Sequence, residues 1–211
     1  RLRLRRGLDM IDANARLSSA ADRLLSAEAV GKTVEGDAFS AGYSDQGEGG
    51  PSIILEAENA GFLAQAFLGL DFIQDGSLKL TGTLGEGGGP SRFLAEVSDA
   101  RLINAPFITQ ILSLASLRGL SDTLSGDGVL FTTIRAPISV GGGRYVIDGG
   151  RASGPALGLT LNGWIATDGE GIELDGVLVP SFGVNSALVG VPVIGDLFVG
   201  AIIPGLILVM M

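Results

Sequence analysis

Residues Asn104 to Gly128 read NAPFITQILSLASLRGLSDTLSGDG, the longest run in the chain with a helical rather than a strand period. Asn104 suits an N-cap, and Pro106 falls in the first turn, where a missing N–H costs nothing. At about 100° per residue, Phe107, Ile108, Ile111, Leu112, Leu114 and Ala115 share one broad arc, with Thr109, Gln110, Ser113 and Ser116 opposite. Leu117 and Arg118 break the pattern, so the first helix ends there. Gly119 permits a turn, and Leu120 to Leu124 adds a second short helical piece. Almost everything on either side alternates like strand. An apolar helix between one-sided strands is expected to lie across the sheet and cover its apolar face.

After Gly128 the alternation is clean. Leu130, Ile134, Ala136, Ile138 and Val140 are expected on one face, and Gly141 to Gly143 turns the chain. Tyr145 and Ile147 follow, then Gly149-Gly150, a pair suited to a bulge. Leu157, Leu159, Leu161 and Ile165 alternate with Thr160, Asn162 and Trp164. Residues 167–171, TDGEG, form a turn before Ile172, Leu174 and Leu178, and Pro180 stops that strand. Ser181 to Gly190 reads as a third short helix. Before Asn104, Phe93, Ala95 and Val97 form an inward row, preceded by a loop at 86–90. Leu78, Leu80 and Leu84 face inward, with Lys79, Thr81 and Thr83 outward, in a strand that restarts at Gly76. Ile53, Leu55 and Ala57 share a face with Glu56 and Glu58 opposite. Between these strands Phe62, Leu63, Ala66, Phe67 and Leu70 have a helical period, with Asn59 as cap. Residues 8–45 read as short, weakly amphipathic strands, and Arg1 to Arg6, RLRLRR, as a strand with one basic, solvated face. A loose repeat of strand, Asn-led apolar helix and strand covers 53–84 and 93–134, and a degenerate third copy starts at 177. Stacked units of this kind build a long sheet with a continuous apolar side.

The composition supports many turns and strands. The chain has 211 residues with 34 glycines, 46% hydrophobic and 18% charged residues, which argues for a folded chain. A net charge of -9 argues against a nucleic-acid partner, because phosphate binding needs clustered Lys and Arg. With no cysteine, disulfides and thiolate chemistry are excluded. With no histidine, so are Ser-His catalysis and His-ligated zinc. Leu197 to Met211 is uncharged but holds Pro204 and falls short of the ~20 residues of a spanning helix. It reads as buried core or a membrane-grazing end.

Candidate chemistry is sparse. Gly31-Lys32-Thr33 lacks the earlier glycine of a phosphate loop, since Ser26 stands there, and reads as a turn before Val34. Gly85 to Gly89 is a hairpin loop. Glu56 and Glu58 would lie about 7 Å apart on a strand face, a spacing open to a glycosidase pair or to a solvated face. Asp168, Glu170, Glu173 and Asp175 miss the spacing of a calcium loop. No catalytic, cofactor-binding or metal-binding residue is assigned, and no enzyme activity is expected.

Several runs carry a family resemblance over about 93–200. They are Asn104-Ala105-Pro106 with its apolar helix, LRGLSDTLSGDG at 117–128, DGGRASGPALG at 148–158, LDGVLVP at 174–180, Asn185, and VPVIGD at 191–196. Glu58-Asn59-Ala60-Gly61 with its short helix extends the likeness. In this order the runs resemble the C-terminal region of the AsmA-like family, envelope proteins of Gram-negative bacteria that include YhdP- and TamB-related members. The resemblance implies a single domain over 1–211 within a longer chain, with 51–200 matching best and 1–50 as weakly defined strands. It implies a mainly β fold with a few short helices, a curved antiparallel meander or taco-like β-groove with helices covering one face or end. It further implies a periplasmic protein, anchored to the inner membrane through a segment outside this sequence, that carries phospholipid between the membranes and supports outer-membrane integrity. After Gly200 the sequence AIIPGLILVMM departs from the family's Gly/acidic turn and polar strand.

The expected partners are phospholipid or a membrane surface, and other envelope proteins. The lipid-contact candidates are Phe107, Ile108, Ile111, Leu112, Leu130, Ile134, Leu159 and Leu161, which otherwise serve as core. The alternative function is a structural or interaction module in outer-membrane assembly with no lipid cargo.

Overall fold

The computed structural model describes residues 2–3, 9–21, 23–45, 49–68, 71–103, 128–168 and 170–180. A two-residue strand β1 (Leu2–Arg3) leads into β2 (Asp9–Ala20), β3 (Arg23–Thr33), β4 (Ala38–Ser44) and β5 (Ser52–Ala57). A one-turn helix α1 (Ala60–Leu63) runs into a π-helical turn (Ala64–Leu68). Then come β6 (Ile73–Thr83), β7 (Ser91–Leu102), β8 (Val129–Gly141), β9 (Arg144–Ser153), β10 (Leu157–Ala166) and β11 (Ile172–Pro180). The strands pair antiparallel in chain order, β1 to β11, as one open meander whose first and last strands do not meet.

The two ends of the strands differ. One carries hairpin turns at 21–22, 45–51, 84–90, 142–143 and 167–171. The other carries 34–37, the connection 58–72 with its helical turns, the long connection 103–128 and the short one at 154–156. At the hairpin end Gly142 and Gly143 take φ of 58° and 72°, the two left-handed positions of a tight two-residue turn. At the helical end Asn59 caps α1, its Oδ1 accepting the Phe62 N–H at 2.8 Å. Gly61 lets α1 close on β6, since a Cβ there would lie 2.7 Å from the Ile73 carbonyl oxygen.

The buried core lies toward β7–β11. Leu102, Val129, Phe131, Leu157, Ile165, Leu174 and Leu178 form one cluster, with Ile134, Ala152, Leu159 and Leu161 packed against it. The bulge expected at Gly149-Gly150 is present. The β9–β10 register jumps from Leu161↔Gly150 to Gly163↔Ile147, Gly149 has φ 72°, and its N–H donates to Asn162 Oδ1 at 2.6 Å.

Four expectations are corrected. Residues 9–44 hold three strands of 12, 11 and 7 residues rather than short weak ones. β6 begins at Ile73 instead of Gly76, because Asp75 (φ 57°) and Gly76 (φ 75°) are absorbed within the strand. The helix after Asn59 is one α-turn plus a π-turn. Leu130 is out of phase with Ile134: Val129 and Phe131 are the buried residues, two consecutive exposed threonines, Thr132 and Thr133, follow, and Ile134 resumes on the shifted phase. The neighbouring strand shifts likewise, where Ser98 and Asp99 (φ 55°) separate Val97 from buried Ala100 and Leu102. The helices expected at 104–124 and 181–190, and the apolar end at 197–211, lie outside the described residues. Among the described residues no helix is long and apolar enough to cross a membrane.

Candidate functional surface

Registering the strands turns each face of the sheet into rows that run across them. On one face the first row is Gly31, Phe39, Ala57, Leu78, Val97, Ile134, Ala152, Leu159 and Leu178, one residue from each strand from β3 to β11. A second row runs Ala15, Ala29, Ala41, Leu55, Leu80, Ala95 and Ala136. A third runs Leu17, Ala27, Tyr43, Ile53, Gly82, Phe93, Ile138 and Ile147. No charged residue interrupts these rows. Most members are half-buried, and Leu17, on β2, is 74% exposed. At ~4.8 Å between strands the first row is about 38 Å long, and three rows span about 13 Å along the strands. The result is an apolar belt running across the strands.

The opposite face is mixed, with a charged row across its middle strands and exposed apolar side chains that include Val30, Ile54, Val146 and Val177. Glu56, Lys79, Glu96, Arg135 and Arg151 are successive cross-strand neighbours on β5 to β9. Lys79 Nζ lies 3.3 Å from Glu56 Oε1, and Arg135 Nε 3.4 Å from Glu96 Oε1. A depression of about 760 Å³ follows this row, walled by residues such as Lys32, Glu56, Lys79, Glu96 and Arg135. Residues of the apolar first row, Phe39, Leu78, Val97 and Ile134 among them, line it as well. Further along this face Arg144 stacks over the Trp164 ring at 4.0 Å, and Trp164 Nε1–H donates to Glu173 Oε2 at 3.0 Å.

The lipid-contact candidates divide into three groups. Ile134 and Leu159 share the first apolar row, and Leu161 lies on the same face opposite Gly150 and Gly176. Leu130, set between buried Val129 and Phe131, belongs to the opposite face. Phe107, Ile108, Ile111 and Leu112 lie outside the described residues. The acidic candidates are structurally engaged. Glu56 pairs with Lys79, and Glu58 Oε2 accepts the Ala38 N–H at 2.7 Å. Glu173 Oε2 accepts a hydrogen bond from Trp164 Nε1–H, and Asp168 Oδ1 accepts the Glu170 N–H at 3.0 Å. Among the described residues no three acidic, His or Cys side chains gather as a metal site. Gly31-Lys32-Thr33, expected as a turn, is instead the end of strand β3, and the turn follows at Val34-Glu35. Sequence reasoning missed most of the belt on β2–β4, because Ala15, Ala27, Ala29 and Ala41 carry it with little hydropathy contrast.

Fold and surface together define an open antiparallel meander with an uncharged belt on one face and a charged row on the other. Comparison with family models, curated proteins and solved structures finds no match to this chain.

Proposed function

We propose that the apolar belt holds the acyl chains of phospholipid, and that the chain is a non-enzymatic segment of an AsmA-like bridge between inner and outer membranes. The observation that carries this reading is the registration of three uncharged rows across seven or more strands each. The belt is longer than the ~15 Å half-thickness of a bilayer's hydrocarbon, and its long direction crosses the strands. An acyl chain therefore lies perpendicular to the strands and passes from one strand to the next. Half-burying a dozen methylenes supplies about 5 kcal/mol. In this reading the sheet curls about the belt as a groove, the protein is periplasmic, and its inner-membrane anchor lies outside this sequence.

A second reading has one observation in its favour. Charged residues of both signs, Lys32, Glu56, Lys79, Glu96 and Arg135, line the 760 Å³ depression, which suits a structural or interaction module in outer-membrane assembly with no lipid cargo. Native mass spectrometry of the chain, purified undenatured from a Gram-negative host, separates the two. Phospholipid adducts on the wild type that disappear in Leu80→Lys support the lipid surface. A clean protein mass for the wild type removes it and leaves the interaction module.

A further inference from the structure

The charged face carries a pattern that matches itself. Across β5, β6, β7 and β8 the row Glu56, Lys79, Glu96, Arg135 alternates minus, plus, minus, plus. A two-fold axis parallel to the strands, midway between β6 and β7, sets Glu56 against the Arg135 position of a second copy and Lys79 against its Glu96 position. The neighbouring rows obey the same symmetry. Ile54, Thr81, Leu94 and Pro137 form the next row, so Ile54 meets Pro137 and Thr81 meets Leu94. Beyond it, Ser52, Thr83, Arg92 and Ser139 set Thr83 against Arg92. On the other side, Ser77 meets Ser98. No like charges oppose in any of these rows. Ile54 is also 42% exposed, a large apolar side chain beside the charged row.

We propose that this face is the interface of a homodimer, formed by β5–β8 of two copies around that axis. The charge complementarity of an isologous contact commits the surface to a second copy of this chain. Four strands by four rows cover roughly 500 Å² on each copy, about 1,000 Å² in total, the lower limit for a specific interface. The dimer is accordingly weak and salt-sensitive, and it leaves both apolar belts facing outward. It uses the opposite face from the belt and does not depend on lipid binding.

Sedimentation velocity on the 211-residue chain tests it. In low salt the species shifts with concentration from the 21.5 kDa monomer toward twice that mass, and about 0.5 M salt reverses the shift. Glu56→Lys with Glu96→Lys makes the row wholly positive, and Lys79→Glu with Arg135→Glu makes it wholly negative. Each double variant is monomeric alone, and mixing them restores a dimer, which pairing within one chain cannot produce. Should either double variant fail to fold, Thr81→Arg, which leaves every ion pair in place, must by itself abolish the dimer. A wild type that stays monomeric at ~200 µM overturns the proposal. So does a dimer that Thr81→Arg leaves intact, or folded double variants that do not combine.

Discussion

Gly163 sits where β11 leaves no room for a side chain. Its φ is 136°, and a Cβ there would fall 2.0 Å from the Glu173 carbonyl oxygen. Gly142 also has positive φ, at 58°, but a Cβ there would meet nothing within 4 Å. The two glycines separate backbone conformation from steric exclusion. Gly142→Ala should cost about 1 kcal/mol, the left-handed penalty alone. Gly163→Ala should cost more than about 2 kcal/mol, because strand β11 must move. Thermal melts of the two variants check the ordering, and equal losses would refute the steric account. A pH-dependent contribution comes from Arg23, whose Nε and Nη2 donate to Asp45 Oδ2 and Oδ1 at 2.5 and 2.7 Å. These hydrogen bonds hold the Asp45 carboxyl below the ordinary carboxylate range. A depressed folded-state value stabilises above the unfolded value of ~3.9, and the gain disappears as pH falls through the folded one. Asp45→Asn should therefore lower Tm near neutrality, and the gap to wild type should close in acid. Arg23 is 65% exposed, so the gap is small and shrinks with salt.

Among elements, β8 tests how side-chain phase is set. Its sequence, VLFTTIRAPISVG, reads as a simple alternation that puts Leu130 with Ile134, yet the buried residues are Val129 and Phe131, each 1% exposed. The shift occurs at Thr132-Thr133, beside Asp99 of β7 and Asp75-Gly76 of β6, all three of which have positive φ. Nothing in apolar periodicity announces a phase reset carried by aspartates in left-handed backbone. The same limitation hid β2, where Asp12 has φ 51°. What the sequence did carry was chemistry with a local mechanism: the Asn59 cap, the Gly142-Gly143 turn, the Gly149 bulge, and the alternation of β10 and β11. Those features rest on one or two residues each. The belt's continuity across β2–β4 rests on alanines, whose burial is decided by neighbouring strands. Phe131→Ala should cost about 3–5 kcal/mol, as expected for truncating a buried aromatic. Leu130→Ala, on the other face, should cost well under half as much. Chemical denaturation of both variants checks this, and a larger loss at Leu130 would return β8 to the phase its sequence suggests.

An open meander hydrogen-bonds each strand only to its neighbours in a line, so outside a shared core cooperativity passes from each strand to the next. The line is lopsided. The buried cluster joins β7, β8, β10 and β11, whereas β2 is exposed at every position from Asp12 to Ala20. Hydrogen bonds and contacts between exposed side chains hold β2 to β3 over that stretch, and such bonds in water contribute little net stability each. Local opening should therefore begin at β2 and move inward, before β8 loses its partners. Native-state hydrogen exchange, read by peptide, should show protection lowest in 12–20, rising through β3 to β5, and highest in β8 and β10. Adding denaturant should erase the gradient from the β2 side first. If every strand exchanged at one common free energy, stability would be shared by the sheet as a unit, and a source of cohesion beyond neighbour-to-neighbour pairing would be required. A gradient of the expected sense would place the belt's most mobile stretch at β2, where Leu17 is already its most exposed large side chain.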